Sequence, residues 1–404
     1  MHVLLYEHAV SGGFVNEKIP SNLLNEGYAM LRCLASDFKA AGHSTTVLMD
    51  SRLTSFTHAF RSEKIIKIYS TKQLLDTLSK NRSNHNACYI IAPETNDSLY
   101  NLVDVIEHTD AISLNCSSQA IKQASDKSIL PSKSTKLGLK IPKTRVFQKY
   151  ESMAKIKRIC KELQFPLIIK AATNTSCSLL SFVENENEVI PAVKKIKNCG
   201  SNNFIIIQEF EKGLPVSVSL ICTSREIIPL SLNLQDIFLA PPNLTSSYNG
   251  GVVPFEHNQQ SKVFDAAKRI ASSFDGFRGY VGVDLVLSEN EISVIETNPR
   301  LSTSYVGLRN VLKANIAQLI VDAVTSGKIS SDFKFEGYSF FSRITLPKPL
   351  NSAYFRIRPS KEVYVPPSLA KGKLDQVFVV VYSNKRDEAS TRLCKIRKRL
   401  QNTS

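Results

Sequence analysis

The chain has 404 residues, enough for two or three domains. Hydrophobic residues make up 43% and charged residues 22%, an ordinary globular composition that argues against a disordered chain. No apolar run approaches the ~18 residues of a membrane span. The start, Met1-His2-Val3-Leu4-Leu5 followed by Glu7 and His8, lacks the basic region and cleavage site of a signal peptide. A cytoplasmic location with no membrane partner is the expectation. Charge is the unusual feature: 51 Lys and Arg against 36 Asp and Glu give +15. Such an excess suits a nucleic-acid partner and equally an enzyme handling phosphates and carboxylates. It is uneven: residues 351–404 hold 12 Lys or Arg and 4 acids, about half of the whole. Arg392, Lys395, Arg397, Lys398 and Arg399 alternate there with Leu393, Ile396 and Leu400. That pattern predicts a docked helix with a solvated basic face rather than a nucleic-acid reader.

The elements follow in order. His2–Tyr6 reads as a strand broken by Ser11-Gly12-Gly13, 23–39 as a helix and Thr45–Met49 as the next strand. Ile65–Tyr69 and Tyr89–Ile91 continue a strand–helix alternation that predicts a mostly parallel sheet. After Asp126 the texture changes. Lys143–Phe147 is a strand, 151–163 a charged helix, and Phe165–Lys170 a short strand ending on lysine. Phe204–Ile207, Val216–Leu220, Tyr280–Leu287 and Ile292–Glu296 are further strands, with helices at 260–274 and 308–324. The end is strand-rich and then basic. None of the eight cysteines lies two to four residues from another, and the seven histidines form no HxH or HxxxH pair. Zinc knuckles, CxxC redox motifs and histidine-built metal sites are therefore not expected.

The most informative segment is the acidic strand pair. Glu296 and Asn298 are two apart, so they share one face of an extended strand. With Asp284 from the neighbouring strand they form an oxygen set suited to Mg²⁺, or Mn²⁺, beside phosphates. Register sets a condition. A two- or four-residue loop would put Asp284 opposite Ile295, on the wrong face; a three-residue loop, Glu289-Asn290-Glu291, or a bulge puts it opposite Glu296. Arg300 follows at once, a cation able to hold phosphate or carboxylate bidentately. A hairpin with solvated acids explains any one of these residues, but not four together.

Two lysines extend the set: Lys127 after Ser125-Asp126, and Lys170 at a strand end, followed about 38 residues on by Ile207-Gln208-Glu209-Phe210-Glu211-Lys212-Gly213. In this order the chain resembles the ATP-grasp superfamily from Ser125 to Ala323. The resemblance implies that Lys127 and Lys170 contact ATP phosphates, that Gln208 and the backbone of Phe210 and Glu211 contact adenine with Glu209 in the same cofactor-binding run, that Asp284, Glu296 and Asn298 hold magnesium, and that Arg300 with Lys170 serves the transferring phosphoryl group. Phosphoryl transfer is catalysed mainly by positioning and charge neutralisation, which agrees. Two positions depart from the pattern. The loop after Lys170, Ala171-Ala172-Thr173-Asn174-Thr175-Ser176-Cys177-Ser178, has no glycine, and Pro215 stands where an acid commonly binds ribose.

Leu5–Phe14, Asn25–Leu31, Ile91–Thr95, Tyr248–Pro254 and Glu296–Tyr305 are similar to an archaeal ATP-grasp group that contains tyramine–L-glutamate ligase, over roughly residues 1–325. The implied fold is α/β (α+β): an N-terminal parallel-sheet pre-ATP-grasp domain (1–122), an ATP-grasp domain (123–330, lobes 123–205 and 206–330) and a strand-rich basic C-terminal extension (331–404). The implied activity is ATP-dependent carboxylate–amine ligation through an acyl phosphate, with a glutamate-like acid and a tyramine-like amine; a homodimer stays open. Another acid and amine pair, or a nucleotide-binding protein with weakened catalysis, are the alternatives. Glu7, Glu26 or Glu94 would orient the amine. Ser11-Gly12-Gly13 is either a plain turn or a ligand-binding one, and Tyr248–Gly251 either a β-turn or part of the site.

Overall fold

In a computed structural model the chain is described over residues 1–53, 60–80, 85–172, 177–198, 204–289, 291–329, 332–351, 363–364 and 373–402. The N-terminal part is a five-stranded parallel sheet in the order β3-β2-β1-β4-β5. Its strands are β1 (His2–Glu7), β2 (Ser44–Asp50), β3 (Lys64–Ile68), β4 (Ala87–Ile91) and β5 (Ile112–Ser113). Between them run α1 (Ser21–Ala40), α2 (Thr71–Lys80) and α3 (Ser98–Glu107), and α4 (Ser118–Ser125) and α5 (Ile129–Lys136) lead out of the sheet. β1 and β4 end together, with Glu7 opposite Ile91, so Glu7 opens at the carboxyl edge of a parallel sheet, where ligands tend to bind.

A small antiparallel sheet follows: β6 (Thr144–Gln148), β7 (Leu167–Ala171), β8 (Leu180–Val183) and β9 (Phe204–Glu209), ordered β6-β9-β7-β8. Two helices, α6 (Met153–Glu162) and α7 (Glu186–Lys197), cover one face through Ile156, Cys160, Val189 and Val193. Because residues alternate across a strand, Ile169 points into that core while Lys170 points away from it.

The largest sheet has eight strands: β10 (Leu214–Cys222), β11 (Ile227–Phe238), β12 (Ser247–Val253), β13 (Gly279–Leu287), β14 (Ile292–Asn298), β15 (Tyr338–Asn351), β16 (Val363–Tyr364) and β17 (Lys373–Ser383). The order is β14-β13-β10-β11-β12-β15-β17-β16, so the C-terminal strands extend the same sheet that carries the acids. α8 (Gln260–Ser272) packs on it. The expected helix over 308–324 is two, α9 (Tyr305–Val311) and α10 (Ile316–Thr325), because the Asn315 side chain accepts from Gln318 N–H and starts the second one. The last helix, α11 (Arg386–Gln401), docks Ile396 and Leu400 on Ile344, Val377 and Val379, leaving its basic face outward. Phe341 and Phe378 join the core formed by Tyr28 and Leu31 of α1 and Tyr305 of α9. Among the described residues no helix is long and apolar enough to cross a membrane.

Two local features differ from the sequence expectation or complete it. The β13–β14 hairpin pairs Leu287 with Ile292, an even register, yet Asp284 still faces Glu296. A bulge between these pairs supplies the odd residue: Leu285 pairs with Val294, and Ile295 is extra. Tyr248–Gly251 is no turn but the middle of β12. Gly250 has φ +128°, and a Cβ there would strike the Phe341 carbonyl of β15; at Gly251 it would strike Leu234 O of β11. The two glycines let three strands lie close together.

Candidate functional site

One cavity of about 890 Å³ lies where the three sheets meet, and the nucleotide, metal and phosphoryl candidates Lys127, Lys170, Gln208, Glu209, Phe210, Glu211, Asp284, Glu296, Asn298 and Arg300 line it, as do Glu7 and Glu26 but not Glu94. At one end Lys127 Nζ lies 3.2 Å from Glu296, the carboxylate that β14 presents. Burial raises the Glu296 carboxyl, but Lys127 and Lys170 outweigh it and hold the group below its ordinary range. Asp284 is pushed up to about 6 by burial and by Glu296 beside it. Its two oxygens accept from Asn298 Nδ2 (2.9 Å) and Gln235 Nε2 (3.0 Å). Lys170 is lowered to about 8, by burial and then by Lys127. Two ammonium groups and two carboxylates thus crowd one corner, an arrangement that favours an anion on the lysines and a cation between the acids.

Among the described residues no three His, Cys, Asp or Glu side chains gather as a metal site. The candidate is the mixed set of Asp284, Glu296 and the Asn298 amide. These are hard oxygen donors on facing strands, and Asp284 is met by two neutral amides, from Asn298 and Gln235, so the set fits a divalent cation.

The end of β9 and the segment after it border the other wall of this corner. Gln208 Nε2 donates to Thr144 Oγ1 at 3.0 Å. The Glu209 carboxylate accepts from Gln164 N–H at 2.9 Å, and Glu211 pairs with Lys140 at 2.9 Å, so both acids are tied outward. The N–H groups of Glu209 and Phe210 go to the carbonyls of Lys143 and Pro166 at 3.0 Å. Pro215 lines the same cavity. In the glycine-free loop, residues 173–176 lie outside the described residues.

The far end is built from distant parts of the chain. Arg300 places Nε 2.9 Å and Nη2 3.3 Å from the two oxygens of Glu94, a bidentate clamp, so Glu94 is occupied by Arg300 rather than left for an amine. Burial would lower Arg300, but Glu94 outweighs it and the guanidinium is raised. Glu7 accepts from Val10 N–H at 2.9 Å, and burial lifts it to about 8. Gly27 of α1 leaves room for that carboxylate, since a Cβ there would overlap it. Glu26 accepts from Thr303 Oγ1 at 3.1 Å and pairs with Arg343 of β15 at 3.5 Å. Tyr248 and Gln376 also line this end. Gln235, Arg343 and Gln376 escaped the sequence reading. A lone arginine inside the alternating strand Phe340-Phe341-Ser342-Arg343-Ile344 was the one signal available for Arg343. Ser11-Gly12-Gly13 is a turn at the cavity edge, with φ +97° at Gly12; the flanking His8, Ala9 and Phe14 line the space.

Comparison with known proteins fits this layout. An ATP-grasp domain matches residues 124–304 and a pre ATP-grasp 3 domain residues 43–121. The tyramine–L-glutamate ligase of Methanocaldococcus fervens is 31% identical over 346 residues, covering 84% of this chain and 98% of that protein. An ATP-grasp superfamily protein from Archaeoglobus fulgidus superposes with TM-score 0.64 at 24% identity, over 95% of this chain and 99% of the other. N5-carboxyaminoimidazole synthetase from Staphylococcus aureus, complexed with ADP, gives TM-score 0.71 at 15% identity, over 98% and 96%. The protein is an ATP-using ligase, an enzyme that forms C–N bonds. The chain belongs to the ATP-grasp family.

Proposed function

We propose that the chain joins a carboxylic acid to an amine through an acyl phosphate, with L-glutamate as the acid and tyramine as the amine. The observation that carries this reading is the layout of one cavity: paired lysines beside paired acids, Arg300 in the field of the same acids, and the further carboxylates Glu7 and Glu26 lining the same space. The substrate carboxylate attacks the γ-phosphorus of ATP, the bond from γ-phosphorus to the bridging oxygen breaks, and ADP leaves. The amine then attacks the acyl carbon, inorganic phosphate departs, and the amine loses a proton.

Lys127 and Lys170 neutralise the phosphate oxygens, and Arg300, fixed in orientation by Glu94, faces the charge that builds up during transfer. Asp284, Glu296 and Asn298 would hold Mg²⁺, which supplies charge neutralisation to the phosphates when bound. The wall formed by Gln208–Glu211 borders the purine. No cysteine or serine nucleophile is needed, because the acyl phosphate is the activated species.

Incubation with MgATP, glutamate and tyramine is expected to yield ADP, phosphate and glutamyl-tyramine by mass spectrometry. Turnover with another amine or acid, and none with this pair, keeps the ligation and discards the substrates. MgATP-dependent thermal stabilisation without ADP release across a panel of acids and amines would contradict catalysis.

A further inference from the structure

The C-terminal strands bring two polar groups to the cavity that ligation as described does not use. The Arg343 side chain on β15 is 12% exposed and reaches Glu26 with Nη1 at 3.5 Å, and its guanidinium makes no hydrogen bond to any other described residue. A guanidinium offers five N–H donors in a planar fork, so one long contact leaves most of it unused. Arg300 is the contrast, closed bidentately on Glu94.

On β17, Gln376 pairs with Thr345, two residues beyond Arg343, so Arg343 and Gln376 stand on the same face of the sheet. Gln376 Oε1 is buried and meets no donor among the described residues. Such an acceptor is costly unless something fills it. Glu26, opposite, is raised by burial despite Arg343, so an added cation would stabilise its charged form. The Gly250-Gly251 pinch is what allows β15 to carry Arg343 this close: Gly250 pairs with Ser342, the residue before it.

A half-satisfied guanidinium, a carboxylate and an orphan amide oxygen together complement a zwitterion. We infer that Arg343, Glu26 and Gln376 form the subsite for the α-amino-carboxylate of the acid substrate, which rests on the ligase reading above. The α-carboxylate takes the Arg343 fork, and the ammonium sits on Glu26 and Gln376 Oε1. The second carboxylate of the same molecule is the one left for phosphorylation. The substrate class is therefore an α-amino acid with an acidic side chain, and the C-terminal strands read its backbone end.

The test is calorimetric binding to the full chain with MgADP present, using glutamate, glutarate (no ammonium) and the α-amide of glutamate (no α-carboxylate). Wild type is expected to prefer glutamate over each analogue by about tenfold or more, since buried polar groups left unpaired discriminate strongly. Glu26→Gln should abolish the preference over glutarate and keep that over the α-amide; Arg343→Gln should do the reverse. Gln376→Leu should weaken glutamate and leave glutarate unchanged. If Arg343→Gln melts early, Arg343→Lys keeps the charge without the fork and should shift the α-amide ratio alone. Equal binding of glutamate and glutarate by wild type, or analogue ratios that survive in both variants, overturns the subsite and leaves the pair as a pin between β15 and α1. The ligase reading fails separately: correct binding ratios, but no ADP formed when MgATP replaces MgADP and amines are added, would sink catalysis and spare the subsite.

Discussion

The Lys127–Lys170 corner and the Glu26–Arg343 corner are two polar ends of one cavity, assembled in different ways. In the first, Glu296 is held by Lys127 at 3.2 Å and Asp284 by two amides, all within residues 127–298. In the second, the groups come from β1, α1, the turn after β4, β15 and β17, and several are only partly paired. On the proposed reading the first is a charge-neutralising machine, whose parts must be present together, and the second a recognition surface, whose parts set which molecule is taken. Damage to the first should abolish turnover, and damage to the second should change affinity and selectivity.

The largest expected effect is in the first corner. Glu296→Ala removes the carboxylate that both lysines face and one oxygen donor of the cation set. Turnover should fall by about a thousandfold or more, the scale of losing a group aimed at transition-state charge. The melting temperature should stay within a few degrees of wild type. Unchanged turnover would refute the role given to Glu296.

Next comes a variant that strikes the second corner through packing. Gly250→Ala places a Cβ against the Phe341 carbonyl in a backbone conformation that alanine avoids. It should destabilise the protein by roughly 2–3 kcal/mol. By displacing β15 it should also raise KM for the acid several-fold more than KM for ATP. Equal effects on both constants would mean that β15 does not belong to the acid's end.

A pH effect follows from Glu7. Its carboxyl sits at about 8 in the fold against 4.5 ordinarily, because burial disfavours the charge. The folded state keeps a proton that the unfolded chain releases. The associated stability is full below pH 4.5 and is lost as pH rises through about 8, on the order of 5 kcal/mol across the window. His8 works in the opposite direction at lower pH, since burial lowers it to about 4. The clean measurement is therefore the difference in melting temperature between wild type and Glu7→Gln from pH 5 to 9. The variant should gain on wild type as pH rises. A flat difference would mean that Glu7 is not held protonated.

The smallest effect is expected outside the cavity. Lys395→Gln with Lys398→Gln removes charge from the outer face of α11 and should change turnover by less than about twofold, the behaviour of solvated surface charges. Salt-sensitive binding of arbitrary DNA or RNA that these changes abolish would restore a nucleic-acid role for the basic segment.

The sequence was most legible where chemistry and chain order coincide. Lys127, Lys170, the Gln208–Glu211 run and the Asp284–Glu296–Asn298 set appear in one stretch and all line the cavity. Even the register of the acids followed from the need to share a face. What the sequence left open was how the odd residue entered, and a bulge at Ile295 proved to supply it. Strand β11 was missed as an element, and Gln235 with it. The second corner was illegible for a physical reason: Glu26 and Arg343 lie 317 positions apart and meet only because β15 docks beside β12. The Tyr248–Gly251 motif carried that information, but two glycines read as a turn as readily as a close strand contact. Glu94 showed the limit for single residues, since its partner Arg300 is 206 positions away.

The central claim is that a carboxylate of the acid substrate attacks ATP phosphorus. Turnover with acid carrying ¹⁸O in the reacting carboxylate tests it most directly. The account predicts ADP, an amide, and one ¹⁸O atom in each inorganic phosphate released. Unlabelled phosphate, or label appearing in AMP with release of pyrophosphate, would contradict it.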